Sequence, residues 1–343
     1  MIIISELIRG PNPFAIEFGE LLGRKEEMQL FRGLLSSTTS GNSELMVVMG
    51  SFGIGKTALF RAWKVEAEKN GLRTFYVRVN DGDDSENVVE KIVQSGRFEN
   101  AMNLDSIIMA IEKQSEFGAV IFLDDCEKMK AEGKNKTLGG TLGQFFERVK
   151  LTGKHVSLVL GSLVDLDIVG DKKILLKPFS EHDVREFVEK ALKKEIRMGE
   201  ECLTTITSDS SGNPKMIRTI CRCIYEKLRE NEKVINKGHY LEQLSYIMST
   251  LSSEWFGQLY QIPEAERKVL YQIAINENLP IKEIAQKSKM NNGPANTLAQ
   301  RLLQRGHIVR LGRGRYRVFS RLYGKYVIER FNLQLTSHSR KRE

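Results

Sequence analysis

Short apolar runs alternate with amphipathic stretches through the first half of the chain. Their length and their content of β-branched and aromatic residues predict buried strands, which lie at residues 45–49, 73–79, 120–123, 155–160 and 174–176. Segments with apolar residues at helical spacing, such as 59–69, separate most of these runs. Because strands that alternate with helices form parallel sheets with right-handed crossovers, the pattern predicts an α/β fold.

The stretch 128–143 interrupts this alternation, because it is polar and rich in glycine. It predicts a surface loop, which is either mobile or a plain solvated connector. From Ser180 onward the pattern changes to helices alone. Asp183 follows Ser180 with the spacing of a helix-capping box, and apolar residues at helical spacing come next, at Val184, Phe187, Val188 and Leu192. Further helices are predicted at 201–208, 214–230 and 240–251, so a small helical domain follows the sheet.

A third module begins at Pro263. Its predicted helices, the last of which has Pro294 in its first turn and ends at Gly306, precede two β-like segments at 307–311 and 315–319. Three helices followed by a two-stranded hairpin is the order of a winged helix. The predicted organisation is therefore an α/β core at 1–178, a helical domain at 179–255, a winged helix at 262–333 and a basic tail at 334–343.

Composition indicates a folded, soluble chain of more than one domain. Its 343 residues fit two or three domains, and 41% hydrophobic with 28% charged residues excludes a disordered or fibrous chain. No apolar stretch approaches the roughly 20 residues of a membrane span and no signal-peptide pattern is evident, so we expect a cytoplasmic protein with no membrane partner. Four cysteines without a secretory signal predict free thiols.

The net charge of +8 is concentrated at the C-terminus. From Gln300 onward the chain has 12 Lys and Arg against two Glu, whereas the residues before Gln300 carry a net charge of −2. This excess predicts a polyanionic partner for the C-terminal module.

The octapeptide GSFGIGKT at residues 50–57 follows the first predicted strand and opens a helix. It matches the phosphate-binding P-loop, or Walker A motif, at every defined position. Its glycines let backbone N–H groups approach phosphate oxygens, Lys56 would reach the β- and γ-phosphates and assist catalysis, and the Thr57 hydroxyl would bind Mg²⁺. The motif predicts a nucleotide and Mg²⁺ as cofactors, with the nucleotide contacted by Gly50, Ser51, Phe52, Gly53, Ile54, Gly55, Lys56, Thr57 and Ala58.

Two adjacent carboxylates, Asp124 and Asp125, follow the apolar run AVIFL. They would lie at the carboxyl end of a buried strand, where ligands bind in open α/β sheets. Asp124 is predicted to be the Walker B ligand of Mg²⁺. Asp125 either activates the attacking water or only polarises and caps the strand end. Ser162, at the tip of the next predicted strand, either senses the γ-phosphate or is a plain turn serine.

These motifs, together with LLGRKEEMQLF at 21–31, LVLGS at 158–162, KPFS at 177–180 and SGNPKMIR at 211–218, resemble the AAA+ and STAND branch of P-loop ATPases. Within that branch the chain is most similar to archaeal-type ATPases with a C-terminal winged helix, which are related to the origin-recognition initiators. The resemblance covers residues 18–325, and its most specific parts are the Walker motifs and the GRxxE box at 23–27. It implies a parallel-sheet P-loop NTPase core with a helical lid and a C-terminal winged-helix domain. It also implies ATP rather than GTP, and no guanine-specific NKxD stands in the sequence.

The resemblance further implies roles for residues outside the Walker motifs. The nucleotide would lie between core and lid, with Arg24 near its base or ribose and with Pro214 touching it. Where many relatives carry an arginine that meets the γ-phosphate, this chain has Lys215, with Arg218 one turn later, and either cation could serve.

Two more implications concern turnover and assembly. Many active relatives have glutamate at the position of Asp125, so the resemblance implies slow hydrolysis. Arg148 is the expected arginine finger, which would act on a neighbouring subunit of a homo-oligomer.

The C-terminal module is predicted to bind duplex DNA. In a helix-turn-helix the second helix enters the major groove, and its outward residues read base edges. With Leu298, Leu302 and Leu303 facing the core, the outward set includes Asn296, Thr297, Gln300, Arg301 and Gln304. The wing adds Arg313, Arg315 and Arg317, which suit phosphate or minor-groove contacts. Alternatively, the winged helix binds protein, or its basic face is merely solvated.

The sequence thus favours an ATP-dependent switch that positions a winged helix on duplex DNA, in replication initiation, mobile-element maintenance or transcription control. A competing hypothesis is a STAND-type signalling ATPase whose winged helix contacts a partner protein. A third is a remodelling ATPase that needs rapid hydrolysis.

Overall fold

The computed structural model describes residues 12–14, 22–98, 103–132, 137–153, 155–168, 170–192, 196–229 and 232–339. The chain divides into two compact units. The sheet unit contains residues 19–50 and 55–177, and the helical unit contains residues 1–18, 51–54 and 178–343. Residues 51–54 of the Walker A motif thus belong to the helical unit, and its flanking residues belong to the sheet unit.

The sheet unit is built on a five-stranded sheet with the strand order β2-β3-β4-β1-β5. Neighbouring strands are parallel throughout. The strands are β1 Leu45–Met49, β2 Arg73–Arg78, β3 Ala119–Asp124, β4 Val156–Ser162 and β5 Lys172–Leu175. The α/β fold predicted from the alternation of strands and helices is therefore confirmed.

Apolar layers cover the two faces of this sheet, which explains why its strands are nearly continuous apolar runs. On one face, Phe122 of β3 packs with Phe31 and with Phe60, and Phe31 stacks on Trp63 with ring centroids 4.5 Å apart. On the other face, a larger cluster contains Ile121 of β3 and aliphatic side chains of the flanking helices. Every residue of β3 and of β4 is buried.

In the described part of the sheet unit, helices lie at Lys25–Thr39, Lys56–Lys69, Ser85–Gly96, Leu104–Gln114 and Leu138–Thr152, and a 3-10 turn lies at Cys126–Lys128. The predicted loop at 128–143 is wrong from Leu138 onward. Thr137 caps the helix there by accepting a hydrogen bond from the N–H of Gly140. Gly139 is buried, and a Cβ atom on it would collide with the carbonyl oxygen of Leu166. Glycine at position 139 therefore reflects the close packing of a helix and not a loop.

The helical unit has helices at Glu181–Leu192, Glu200–Ser210, Pro214–Lys227, Lys237–Glu242, Leu244–Glu254, Glu264–Ile275, Ile281–Lys287, Asn292–Gln304 and Arg321–Ser339. A 3-10 turn lies at Phe256–Gln261, and short parallel strands pair at Arg197–Met198 (β6) and Val234–Ile235 (β7). After the helix Asn292–Gln304 come β8, Ile308–Gly312, and β9, Arg315–Val318, which pair as an antiparallel hairpin. Three helices and a hairpin thus occur in the predicted order.

The helix Arg321–Ser339 is absent from the sequence predictions. The proposed boundary between winged helix and basic tail, at residues 333 and 334, falls inside it, and the tail residues 340–343 lie outside the described part of the chain. In the described ranges, no helix is both long and apolar enough to cross a membrane. The four cysteines are free, as predicted, and the structure shows that all four are buried.

Candidate functional site

The Walker A segment joins the carboxyl end of β1 to the helix Lys56–Lys69. At its start, the N–H of Gly50 donates to the carbonyl oxygen of Ser162 at the tip of β4 (3.1 Å). At its end, Gly55 has a φ of 106° and precedes the first helical residue, Lys56. The ammonium of Lys56 donates to the carbonyl oxygen of Gly50 (2.7 Å), so it lies across the segment. Burial lowers the pKa of Lys56.

Residues 51–54 make specific contacts within the helical unit. The side-chain amide of Asn213 donates to the carbonyl oxygen of Phe52 (2.6 Å). The backbone N–H of Lys215 donates to the carbonyl oxygen of Gly53 (3.2 Å). Gly53 has a φ of 74°, and a Cβ atom on it would lie 2.8 Å from Oδ1 of Asn213. Both the backbone conformation and the neighbouring side chain therefore require glycine at this position.

Lys215 and Pro214, two predicted nucleotide contacts, begin the helix Pro214–Lys227, and Asn213 caps it. The Lys215 ammonium lies 5.0 Å from the centroid of the Phe52 ring and 4.5 Å from that of Trp255. Two aromatic faces at these distances attract a cation. The guanidinium of the alternative residue, Arg218, donates to the carbonyl oxygen of Phe14 (2.8 Å).

The two predicted magnesium ligands meet directly. The Thr57 hydroxyl donates to Oδ2 of Asp124 (2.6 Å), and Asp124, at the end of β3, is buried. The same Oδ2 accepts a hydrogen bond from the Tyr76 hydroxyl (2.9 Å) on β2. Burial and the Asp124 carboxylate raise the pKa of Tyr76, so Tyr76 acts as a donor. Mg²⁺ in nucleotide sites is bound by one or two protein oxygens, such as those of a hydroxyl and a carboxylate, together with phosphate oxygens of the substrate, so these residues fit the ion.

Asp125 follows β3 in a left-handed backbone conformation, with a φ of 61°. Its Oδ2 accepts from the guanidinium of Arg78 (2.8 Å) on β2 and from the ammonium of Lys128 (3.0 Å). Burial alone would raise the pKa of Asp125, but the hydrogen bonds from Arg78 and Lys128 outweigh it and hold that pKa below its ordinary value. The carboxylate is thus an ion-pair partner of two cations.

Glu127 is a residue of this region that sequence reasoning missed. It lies in the 3-10 turn after β3, and its Oε2 accepts from the N–H of Leu163 (3.0 Å), the residue after β4. Burial raises the pKa of Glu127. Its position three residues after Asp124 is a signal, but spacing alone does not say which way the side chain points.

Ser162 and Arg24 both make protein hydrogen bonds. The hydroxyl of Ser162 accepts from the N–H of Val164 (3.1 Å), as a turn serine does. The buried guanidinium of Arg24 donates to the carbonyl oxygen of Lys177 (2.9 Å) and to Glu27 (3.3 Å). It joins the start of the helix Lys25–Thr39 to the segment after β5. Their predicted contacts with a nucleotide stay predictions.

Arg148 lies near the end of the helix Leu138–Thr152, which leads into the amino end of β4. The P-loop follows the carboxyl end of β1, at the opposite edge of the parallel sheet. The Arg148 guanidinium forms a two-bond ion pair with Asp105 (2.9 and 2.8 Å). A role as an arginine finger therefore requires this exposed pair to open, and it stays a prediction.

The predicted DNA-binding residues differ in how free their side chains are. Asn296, Thr297, Arg301, Arg313 and Arg315 are exposed. Both ends of the half-buried Gln300 amide are used, because it donates to the Tyr316 hydroxyl (2.8 Å) and accepts from Arg310 (3.2 Å). Arg317 is half-buried and donates to the carbonyl oxygen of Val318 (3.1 Å).

A buried carboxylate forms ion pairs with two arginines of the basic C-terminal module. Glu266, on the helix Glu264–Ile275, is 1% exposed and accepts from Arg305 (2.6 Å). The guanidinium of Arg301 lies 3.8 Å from the other carboxylate oxygen. The charge of these two arginines is thus partly neutralised within the protein.

Comparison with known proteins finds similarity in structure alone. No protein-family model and no curated protein sequence matches the chain. The Walker-type ATPase of Pyrococcus abyssi superposes with a TM-score of 0.65 at 15% identity, over 90% of this chain and 96% of that one. The ORC1 protein of Aeropyrum pernix, solved in complex with DNA, gives 0.53 at 15% identity, over 95% and 96%. The ORC2 protein of Aeropyrum pernix, solved as ADPNP–ADP complexes, gives 0.54 at 14% identity, over 94% and 98%. At these identities the likeness shows the fold, which is that of the P-loop NTPases, as predicted.

Proposed function

We propose that the chain is an ATP-binding molecular switch that hydrolyses ATP slowly with Mg²⁺ and binds duplex DNA through a C-terminal winged helix. The proposal has two halves, a nucleotide half (binding and hydrolysis of ATP) and a DNA half (binding of duplex DNA). The observation that carries the nucleotide half is the hydrogen bond between Thr57 and Asp124. A Walker A threonine and a strand-end carboxylate in contact are the pair that holds Mg²⁺ in P-loop ATPases.

Each residue of the nucleotide site has a defined task in this proposal. Backbone N–H groups of residues 50–57 bind phosphate oxygens at the positive end of the helix Lys56–Lys69. The Lys56 ammonium exchanges its hydrogen bond to Gly50 for one to the β- and γ-phosphates. When bound, Mg²⁺ neutralises developing charge on the phosphates. Thr57 and Asp124 hold it, and Tyr76 fixes the orientation of the Asp124 carboxylate.

Slow turnover is supported by the state of Asp125, because the carboxylate next to Asp124 in the sequence is then no base and another group must activate the water. Its carboxylate is engaged by Arg78 and Lys128, so it is poorly placed to take a proton from water. A switch needs its nucleotide states to last, and slow hydrolysis provides that. A homo-oligomer, in which Arg148 leaves Asp105 to meet a neighbour's nucleotide, belongs to the same proposal.

The DNA half rests on the charge of the C-terminal module and on the exposure of its side chains. Arg313 and Arg315 are exposed on the hairpin, and Asn296, Thr297 and Arg301 are exposed on the helix before it. Arginine binds phosphates, and asparagine and arginine bind bases, so the exposed residues of this module suit both kinds of contact. The similar ORC1 protein of Aeropyrum pernix was solved in complex with DNA, which supports this assignment.

A second candidate function is a STAND-type signalling ATPase whose winged helix contacts a protein. The observation in its favour is that Gln300, Arg301 and Arg305 already have partners within the chain. Side chains engaged in this way offer fewer direct contacts to bases.

Fluorescence anisotropy of a labelled duplex, titrated at several salt concentrations, tests the DNA half. DNA binding predicts a steep loss of affinity as salt rises. Replacing Arg313 and Arg315 together with alanine should flatten the slope by about 0.9 for each phosphate that these arginines neutralise in the wild-type complex. Absence of binding at low salt would leave the protein-contact function. Hydrolysis of ATP with and without Mg²⁺ tests the nucleotide half separately.

A further inference from the structure

Glu127 has one carboxylate oxygen with an assigned partner and one without. Oε2 accepts from the N–H of Leu163 (3.0 Å), and this bond fixes the direction of the side chain. Oε1 is inaccessible to solvent and, among the described residues, has no hydrogen-bond partner. Buried polar atoms without partners are rare, because each forfeits its solvation, and in native proteins they indicate a ligand, a water or a catalytic role.

The strand order shows on which side of β3 the carboxylates of Glu127 and Asp125 lie. β3 lies between β2 and β4, and β4 lies beside β1, which leads into the Walker A segment. Glu127 is hydrogen-bonded at the end of β4, on the side of β1. Asp125 is paired with Arg78 of β2, on the opposite side.

The electrostatics of Lys56 agree with this placement. Among the acidic groups around its ammonium, Glu127 attracts the charge most strongly, ahead of Asp124 and Asp125. Lys56 acts in turn on Glu127. Glu127 is thus hydrogen-bonded at the tip of β4 and interacts electrostatically with the Walker A lysine, whereas Asp125 is held by its two cations.

We propose that Glu127, rather than Asp125, is the general base that activates the water in ATP hydrolysis. This inference rests on the proposed ATPase function. In the step, Glu127 accepts a proton from water as the water oxygen bonds to the γ-phosphorus. The bond from that phosphorus to the β–γ bridging oxygen breaks, its electron pair goes to ADP, and the proton on Glu127 passes to the released phosphate.

Single-turnover hydrolysis with protein in excess over Mg·ATP tests the assignment, together with a binding titration of a fluorescent ATP analogue. Glu127→Gln keeps an oxygen that accepts from Leu163 but removes the base. We expect it to lower the hydrolysis rate about 100-fold or more while the Kd for nucleotide stays within about threefold. Glu127→Asp, which keeps a carboxylate, is expected to recover part of the rate.

Asp125→Asn is the matched control, because it makes the same change two residues away. We expect it to keep the rate within about tenfold, since general-base losses are larger. Wild-type-like hydrolysis by Glu127→Gln would overturn the assignment. A loss of hydrolysis in Asp125→Asn but not in Glu127→Gln would also overturn it. Absence of Mg·ATP hydrolysis by the wild-type chain would instead overturn the proposed function, so the two failures are distinct.

Discussion

The Thr57 hydroxyl and the Asp124 carboxylate are 2.6 Å apart, although 67 residues separate them in the sequence. Thr57 lies in the first turn of the helix after β1, and Asp124 ends β3, two strands away in the sheet. A parallel sheet brings the carboxyl ends of its strands to one edge, so the contact follows from the fold.

Substitution of Lys56 and of Asp124 separates binding from hydrolysis. Lys56→Ala removes the proposed charge-assisted hydrogen bond to phosphate, and we expect it to weaken ATP binding about 10- to 100-fold. Asp124→Ala removes the proposed magnesium ligand, and we expect it to slow hydrolysis at least about 100-fold while leaving nucleotide binding largely intact. Isothermal titration and a phosphate-release assay measure the two effects. Undiminished hydrolysis by Asp124→Ala would overturn its assignment as the Walker B residue.

Tyr76→Phe tests the orientation of the Asp124 carboxylate. The change removes the donor 2.9 Å from Oδ2 and little else. Loss of a hydrogen bond that orients a metal ligand typically costs about 10- to 100-fold in metal affinity or activity, so a higher Mg²⁺ concentration should be needed for half-maximal hydrolysis. Tyr246→Phe, which removes a hydroxyl bonded to Glu226, is the control. Identical Mg²⁺ dependence of the two variants would exclude the role.

Gly161→Ala tests how closely the site is packed. A Cβ atom at Gly161 would lie 2.8 Å from Oδ1 of Asp124 and 2.9 Å from the Phe60 ring. We expect the substitution to lower the free energy of unfolding by about 1–3 kcal/mol and to impair hydrolysis, because the carboxylate must move. Gly143→Ala is the matched control, since its Cβ meets Ile168 at an ordinary 3.9 Å. Denaturant unfolding and hydrolysis should therefore distinguish the two alanines, and equal behaviour would contradict the packing argument.

We expect His307 to make the helical unit less stable in acid. The ring is buried and bonded to the Tyr323 hydroxyl (2.7 Å), and burial lowers the pKa of His307 to about 4. Between the ordinary value of about 6.5 and that value, the unfolded chain binds a proton that the folded chain does not. The free energy of unfolding should fall as pH falls through this window, by up to roughly 3 kcal/mol in total, and then level off for this group.

His307→Gln removes this titration. Urea unfolding between pH 7 and pH 4 should therefore show a smaller loss of stability in the variant than in the wild type. Equal slopes would mean that His307 is not the group responsible.

Glu266→Gln tests whether the buried carboxylate restrains the basic surface. The change removes the charge that pairs with Arg305 and lies 3.8 Å from Arg301. If the surface binds DNA, we expect tighter binding at low salt and a salt slope steeper by up to about 0.9 for each additional phosphate neutralised. Glu264→Gln, on the same helix, loses the same charge beside the exposed Lys268 and is the control. Equal affinities of the two variants would show that Glu266 does not mask these arginines.

Several errors of the sequence predictions have a common physical origin. The loop at 128–143 was predicted from its glycines, but Gly139 is there because the backbone at Leu166 packs against a helix. The last helix, Arg321–Ser339, was missed although Leu322, Tyr323 and Tyr326 are buried on it. The pattern of residues over a short stretch of sequence carries no information about a packing partner that lies far away in the chain.

The sequence by itself determined the strands, the Walker A segment and the order of helices and hairpin at the C-terminus. These depend on spacing, apolar periodicity and turn chemistry over short windows. Only the tertiary structure decided which carboxylate faces which neighbour. Asp125 and Glu127 are two residues apart and chemically alike, but β2 with Arg78 lies on one side of β3 and β4 with Leu163 on the other. Strand order is a property of the assembled sheet, so the directions of these side chains could be read only from the fold.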